Sequence, residues 1–181
     1  ALKIAGSLLR AVPEGESFNL NLIVNKLGDP ARKVAAAAAH ELRKTLLLHN
    51  AMQQIVAREV QQLVHRPHLS RNALYNCIVF LNQLQLVKGT SLPSSLIQTY
   101  FRLFELAISK KQKDNDEEEG VKSRLLSALL AGVNRAHPYL PASDRSLDQH
   151  VDALYKICHT AASSARTQAL LLLFHVTIGE T

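Results

Sequence analysis

The sequence predicts an all-α protein, and three observations carry that prediction. The apolar weight falls on Leu, Ala and Val, with aromatic residues at only 5% and no Trp. Apolar positions recur with the 3.6-residue period of a helix, and no segment shows sustained alternation of period two. With 47% hydrophobic residues in 181, the chain has enough apolar surface to bury a real core.

The first 27 residues read as a pair of short helices. Asp29 and Pro30 then give a helix-start signal: the Asp oxygen can accept a free backbone N–H, and proline gives up an N–H that would be unpaired anyway. A helix is therefore expected from residue 30. At 100° per residue, Ala31, Val34, Ala35, Ala38, Leu42 and Leu46 share one side. Lys33, His40 and Lys44 form a narrow opposite stripe, flanked by Arg32 and Arg43. The alanines 35–39 thus read as a packing face with high helix propensity, whose small side chains let a neighbour approach closely.

Further helices are expected at 51–65, 71–87, 94–109, 122–136, 147–160 and 164–177, each bounded by a turn signal. Ser70 is the expected cap of the helix at 71–87, and "PYLPASD" ends one helix and leads to the next. Between the helices at 94–109 and 122–136, "KKQKDNDEEEG" is read as a solvated acidic loop at 110–121, its like charges repelling one another.

Helices opening near 30, 71, 122 and 163 lie 41, 51 and 41 residues apart, and the acidic insertion accounts for the long interval. A two-helix unit of this length is that of a HEAT or armadillo repeat. The whole chain, 1–181, is therefore read as one α-solenoid of about four HEAT-like hairpins. Glu41, Asn82, Asn134 and His175 recur in register and are expected to form a ladder of hydrogen bonds between repeats. The chain does not open on Met, and it is expected to be an excerpt of a longer protein.

Net charge is +6, but the run "DNDEEE" holds five of the fifteen acids, leaving 21 basic residues against 10 on the remainder. A polyanionic partner is reasonable for so basic a body. The exposed stripe of Arg32, Lys33, His40, Arg43 and Lys44 is the candidate for RNA phosphates, although no interleaved aromatics are present to stack bases. No apolar run approaches a membrane span, and no secretory signal opens the chain, so an intracellular protein is expected. Cys77 and Cys158 sit in apolar patterns without CxxC spacing and read as buried thiols.

Catalytic chemistry finds no candidate. His65 and His68 lack further ligands at zinc spacing, and Cys158 and His159, adjacent on a helix, diverge by about 100°. Phosphate loops, nucleophile elbows and paired carboxylates are missing from the sequence, so neither an enzyme nor a cofactor or metal is expected.

Four ordered stretches resemble one known family. "SALLAGVNRAHPYLP" (127–141) closely resembles the most recognisable block of the CCAAT-binding-factor family of nucleolar ribosome-assembly proteins, most closely its nucleolar complex protein one branch. "REVQQLVHRPHLSRNALYNCIVFLNQL" (58–84), "DALYKICHTAASSARTQALLLLFHV" (152–176) and "VNKLGDPARKVA" (24–35) resemble further blocks in the same order. The resemblance implies a HEAT-like scaffold without enzymatic activity, working in the nucleolus on precursors of the large ribosomal subunit. It implies pairing with a second nucleolar complex protein, and contact with pre-rRNA and other assembly factors. Arg66, Pro67, Asn82, Gln83, Gly132, Asn134, Arg135, Pro138, Tyr139, His159, Gln168 and Phe174 match the blocks, and their types look structural. Gly132 would permit close helix approach, Pro138 would end a helix, and Arg135 would tie repeats. One departure is "AASSA" at 161–165, where the family shows Asn-Phe-Asn. The alternative from another class is a HEAT-type adaptor in transport or signalling that binds protein and no RNA.

Overall fold

The computed structural model describes residues 1–12, 14–67, 69–109, 116–141, 150–160 and 163–178; within these, residues 108, 109, 116–119, 153, 160, 164 and 175–178 are described by their backbone alone. Every regular element among them is helical: α1 (Leu2–Ala11), α2 (Glu16–Asn25), α3 (Arg32–Leu48), α4 (Gln53–Val64), α5 (Arg71–Leu81), α6 (Leu92–Ser109), α7 (Asp116–Ala136), α8 (Val151–Thr160) and α9 (Ser163–Ile178). Short 3₁₀ turns occupy Lys26–Gly28, Asn50–Met52 and His137–Tyr139. The all-α expectation holds.

Local chemistry sets several boundaries. Ser70 caps α5 as expected, its Oγ accepting the Ala73 N–H at 3.2 Å. α3 starts two residues later than expected. The Asp29 Oδ1 accepts the Ala31 N–H at 2.9 Å, closing a turn before the helix, and Ala31 takes the N-cap position. The bond from Lys26, then that from Ala31, holds the Asp29 carboxyl below its ordinary pKa. α7 stops at Ala136, and Pro138 lies in the 3₁₀ turn that follows, where its missing N–H breaks no helical bond.

The acidic segment needs correction. Residues 110–115 lie outside the described residues, but Asp116–Val121 belong to α7 and not to a loop. Acidic residues in a helix's first turn meet the positive end of its dipole, which offsets their mutual repulsion.

Contacts divide the chain into two compact units, Ala1–Leu84 and Gln85–Thr181. In the first unit α1 packs on α2, α3 packs on α1 and α2, α4 packs on α2, and α5 rests on α4 and the first 3₁₀ turn. Its core is built from residues such as Leu20, Ile23, Leu27, Leu42, Val56, Val60 and Ile78. Gly28 allows the 3₁₀ turn to lie against α5, since a Cβ there would stand 3.2 Å from Leu69 and 3.9 Å from Ala73. In the second unit α6 pairs with α7 and α8 with α9, while α7 packs on α9 and α6 touches α8. Its core includes Leu96, Tyr100, Phe101, Phe104, Leu129, Val133, Leu154 and Leu172. Within the units α1 pairs with α2, α2 with α3, α4 with α5, α6 with α7 and α8 with α9, and further contacts join helices two apart.

Among the described residues, no helix is long and apolar enough to cross a membrane.

Candidate nucleic-acid interface

The basic residues singled out from the sequence converge on α3. The helix buries Ala35, Ala38 and Leu42, leaves Val34 and Leu46 half-buried, and turns Arg32, Lys33, His40, Arg43 and Lys44 outward. Lys33, His40 and Lys44 fall within about 40° around the axis, and Arg32 and Arg43 share one flank. Ala36 and Ala37 are also exposed, so the packing face expected of the alanine run covers only part of it. Those two alanines keep bulky side chains away from the space between Lys33 and His40. A phosphate chain could approach the helix surface there, with the Lys33 ammonium at one end and the His40 imidazole at the other.

Charge on this face is not cancelled by the helix itself. Its one acid, Glu41, is buried and accepts from Arg10 Nη1 of α1 at 3.0 Å. Arg43 Nη1 donates to Gln83 Oε1 at 2.7 Å, across from the end of α5. A neutral amide thus orients the guanidinium without neutralising it, and joins a basic-stripe residue to a family-block residue.

A second polar chain links α2 and α4. Arg66 Nη1 donates to Asn25 Oδ1 at 2.7 Å, Asn25 Nδ2 to Asn21 Oδ1 at 2.7 Å, and Asn21 Nδ2 to Glu59 Oε2 at 3.4 Å. The chain runs from a cation to an anion through two amides whose carbonyl and NH₂ groups are both used, so it behaves as a seam between helices.

The remaining block residues are dispersed. Pro67 is exposed in the turn after α4, and Asn82 is half-buried at the C-cap of α5. Gly132 is buried within α7, Tyr139 is half-buried, and Pro138, His159 and Phe174 are exposed. Asn134 Nδ2 donates to the Gln168 carbonyl at 3.4 Å, bonding α7 to α9. Arg135, exposed near the end of α7, lies near enough to Tyr100 of α6 for its charge to oppose the upward pKa shift that burial gives the Tyr100 hydroxyl. Of the expected polar ladder, Glu41 pairs with α1 and Asn134 with α9, while the His175 side chain lies outside the described residues.

Sequence reasoning missed two arrangements. One is the buried set of Gly6, Arg10, Glu41 and Thr45; an acid at the edge of α3's apolar side was the signal that a buried partner was needed. The other is a stack of His150 on Phe101, ring centroids 4.1 Å apart and planes within 9°. Among the described residues, no group of three or more His, Cys, Asp or Glu side chains is placed to hold a metal. His68 lies outside the described residues. Cys77 is buried and its thiol pushed up to about 12 by desolvation; Cys158 is half-buried and raised by the same cause.

Known proteins resemble this chain along nearly its whole length. Human CCAAT/enhancer-binding protein zeta is 41% identical over 177 residues, 97% of this chain and 16% of that protein. Ribosome biogenesis protein NOC1 of Chaetomium thermophilum is 34% identical over 96% of this chain, and nucleolar complex protein 1 of Drosophila melanogaster is 27% identical over 98%. No family profile matches the chain. The chain spans between a seventh and a fifth of the length of these relatives. Similarity this continuous covers every block on which the resemblance rested, including the helices that carry the basic stripe, the polar seam and the α7 to α9 bond; the chain belongs to the CCAAT-binding-factor family, in the branch of CCAAT/enhancer-binding protein zeta and nucleolar complex protein 1.

Proposed function

We propose that this chain is a HEAT-like, stacked-hairpin segment of a longer, non-enzymatic scaffold for nucleolar assembly of the large ribosomal subunit. It works by surface complementarity, gripping a second nucleolar complex protein along helix edges while the basic face of α3 meets pre-rRNA or an assembly factor. The observation that carries this reading is near-full-chain similarity to proteins named for ribosome biogenesis and for a nucleolar complex. The helix order within each unit, with neighbours two apart in contact, supports the stacked-hairpin part. The exposed cations of α3, free of a carboxylate on their own face, support the RNA part.

Purification of the natural protein from nucleolar extract tests the assignment. Large-subunit precursor RNA and a second nucleolar complex protein are expected among the bound material; recovery of transport or signalling proteins without RNA would establish the adaptor class instead. Filter binding at varied salt then tests the α3 face. Replacing Lys33 and Lys44 by Glu is expected to weaken binding across RNA sequences and reduce the slope of log affinity against log salt by about two. An unchanged slope would exclude this face.

A further inference from the structure

The outward face of α8 carries aromatic rings between cations, which α3 does not. Of the tyrosines, Tyr100 is buried, Tyr75 and Tyr139 are half-buried, and Tyr155 of α8 is 51% exposed. Among the described residues the Tyr155 side chain makes no hydrogen bond and stacks on no other ring. His159, four residues on, is exposed as well. Four residues are about 6 Å of rise and about 40° of turn, so the two rings follow one another along a single face. Lys156, also exposed, flanks them about 100° around the axis from Tyr155. On the opposite flank, about 60° from Tyr155, sits the half-buried Cys158. Arg166 of α9, the hairpin partner, is exposed and near enough to Cys158 for its charge to oppose the upward shift that burial gives the thiol. The one acid in the sequence of α8 and α9 is Asp152, in the first turn of α8, where it meets the positive end of the helix dipole.

Exposed rings bracketed by cations suit unpaired nucleic acid: base faces stack on the rings, phosphates lie along the cations, and the stacking accepts any sequence. A duplex keeps its base faces inside the helix and offers the rings nothing to stack on. A protein partner anchored on Tyr155 would be favoured by apolar neighbours, whereas the exposed neighbours on this face are Asp152, Lys156 and His159. We propose that the outward face of α8 binds an unpaired stretch of RNA, with Tyr155 and His159 stacking on bases and Lys156 and Arg166 meeting phosphates. The cations of α3 have no tyrosine, phenylalanine or tryptophan among them, so that face offers phosphate contacts alone. This inference rests on the RNA part of the reading above and gives it a second surface, one that distinguishes single strands from duplex.

Ultraviolet cross-linking of the natural full-length protein to oligouridine of about ten nucleotides tests it, with mass spectrometry locating the adducts. Adducts are expected on α8, and unlabelled oligouridine should compete for them about tenfold or more better than duplex RNA of the same length. Tyr155→Phe should leave the RNA concentration for half-maximal α8 adduct unchanged, and Tyr155→Leu should raise it about tenfold with thermal melting unaltered. Lys156→Gln with Arg166→Gln should weaken the same adduct and make it less sensitive to salt. Adducts on α3 with none on α8 overturn this proposal and leave the α3 face standing, whereas adducts on neither overturn the RNA reading as a whole. Equal competition by duplex and oligouridine removes the stacking and overturns the proposal. So does a Tyr155→Leu protein that keeps its RNA adducts but no longer recovers a partner protein, since the face is then a protein interface.

Discussion

Gly6 of α1 lies against the carboxylate of Glu41 of α3, so close that a Cβ at residue 6 would collide with Glu41 Oε2 and stand 3.1 Å from Arg10 Nη1. The glycine is what lets the two helices approach with an ion pair sealed between them. The pair is itself enclosed, with side-chain exposures of 11% for Arg10 and 7% for Glu41. Thr45 contributes twice: its hydroxyl accepts from Arg10 and donates to the Glu41 carbonyl one turn back.

Gly6→Ala is therefore expected to destabilise, even though alanine in place of glycine within a helix ordinarily adds about 1 kcal/mol. Overpacking against a fixed carboxylate costs about 1 to 3 kcal/mol and outweighs that gain. Gly120→Ala on α7 is the matched control, since a Cβ there meets nothing within 4 Å, and it should stabilise by up to about 1 kcal/mol. Urea unfolding of both variants checks the opposite signs.

Removing one partner of the Arg10–Glu41 pair should cost more than removing both. Glu41→Ala strands an enclosed guanidinium, with an expected loss of about 3 to 5 kcal/mol. A double variant, Arg10→Met with Glu41→Leu, should recover most of that loss, because neither residue then leaves a desolvated charge. A double-mutant cycle from denaturant midpoints measures the coupling. A Glu41→Ala loss no larger than that of an exposed substitution such as Ala37→Ser would mean that the pair is solvated.

What the sequence announced and what it concealed divide by the range of the interaction. The cap at Ser70 and the basic stripe of α3 depend on residues within a turn or two, and both appear where periodicity places them. α5 stops at Leu81 rather than 87 because Leu84 and Leu86, apolar and two apart, bury in a non-helical stretch that a helical pattern also accepts. Asp116–Val121 fall in α7 rather than in a loop because a helix dipole favours acids in a first turn, an effect that repulsion between neighbours alone does not reveal. Arg10 and Glu41 are 31 residues apart, and local pattern cannot pair them. The basic part of the candidate site was thus visible, whereas Gln83 as the orienter of Arg43, 40 residues away, needed the fold.

The seam from Arg66 to Glu59 predicts a structural role for a block residue whose charge suggests nucleic acid. Arg66→Ala or Asn25→Ala should each reduce stability by about 1 kcal/mol, the usual net worth of such bonds. Neither should change the salt slope of RNA binding. A lower slope in Arg66→Ala with unchanged melting would reverse this assignment and put the guanidinium on phosphate.

His150 gives the pH dependence. Its ring lies flat on Phe101, and its Nδ1 is 3.9 Å from Glu105 Oε1. Desolvation lowers its pKa below the ordinary 6.5, and the Glu105 charge only partly opposes this. The folded state therefore holds fewer protons at this site than the unfolded chain does as pH falls toward the ordinary histidine value. Stability must then decline as pH is lowered through about 6.5, and the decline ends only below the depressed folded value. Thermal melts between about pH 8 and 5 should show that acid limb. His150→Phe retains an aromatic stack on Phe101 and should flatten the limb. Glu105→Gln removes the group that favours the imidazolium and should steepen it. Identical limbs in all three proteins would show that the stack does not control protonation at residue 150.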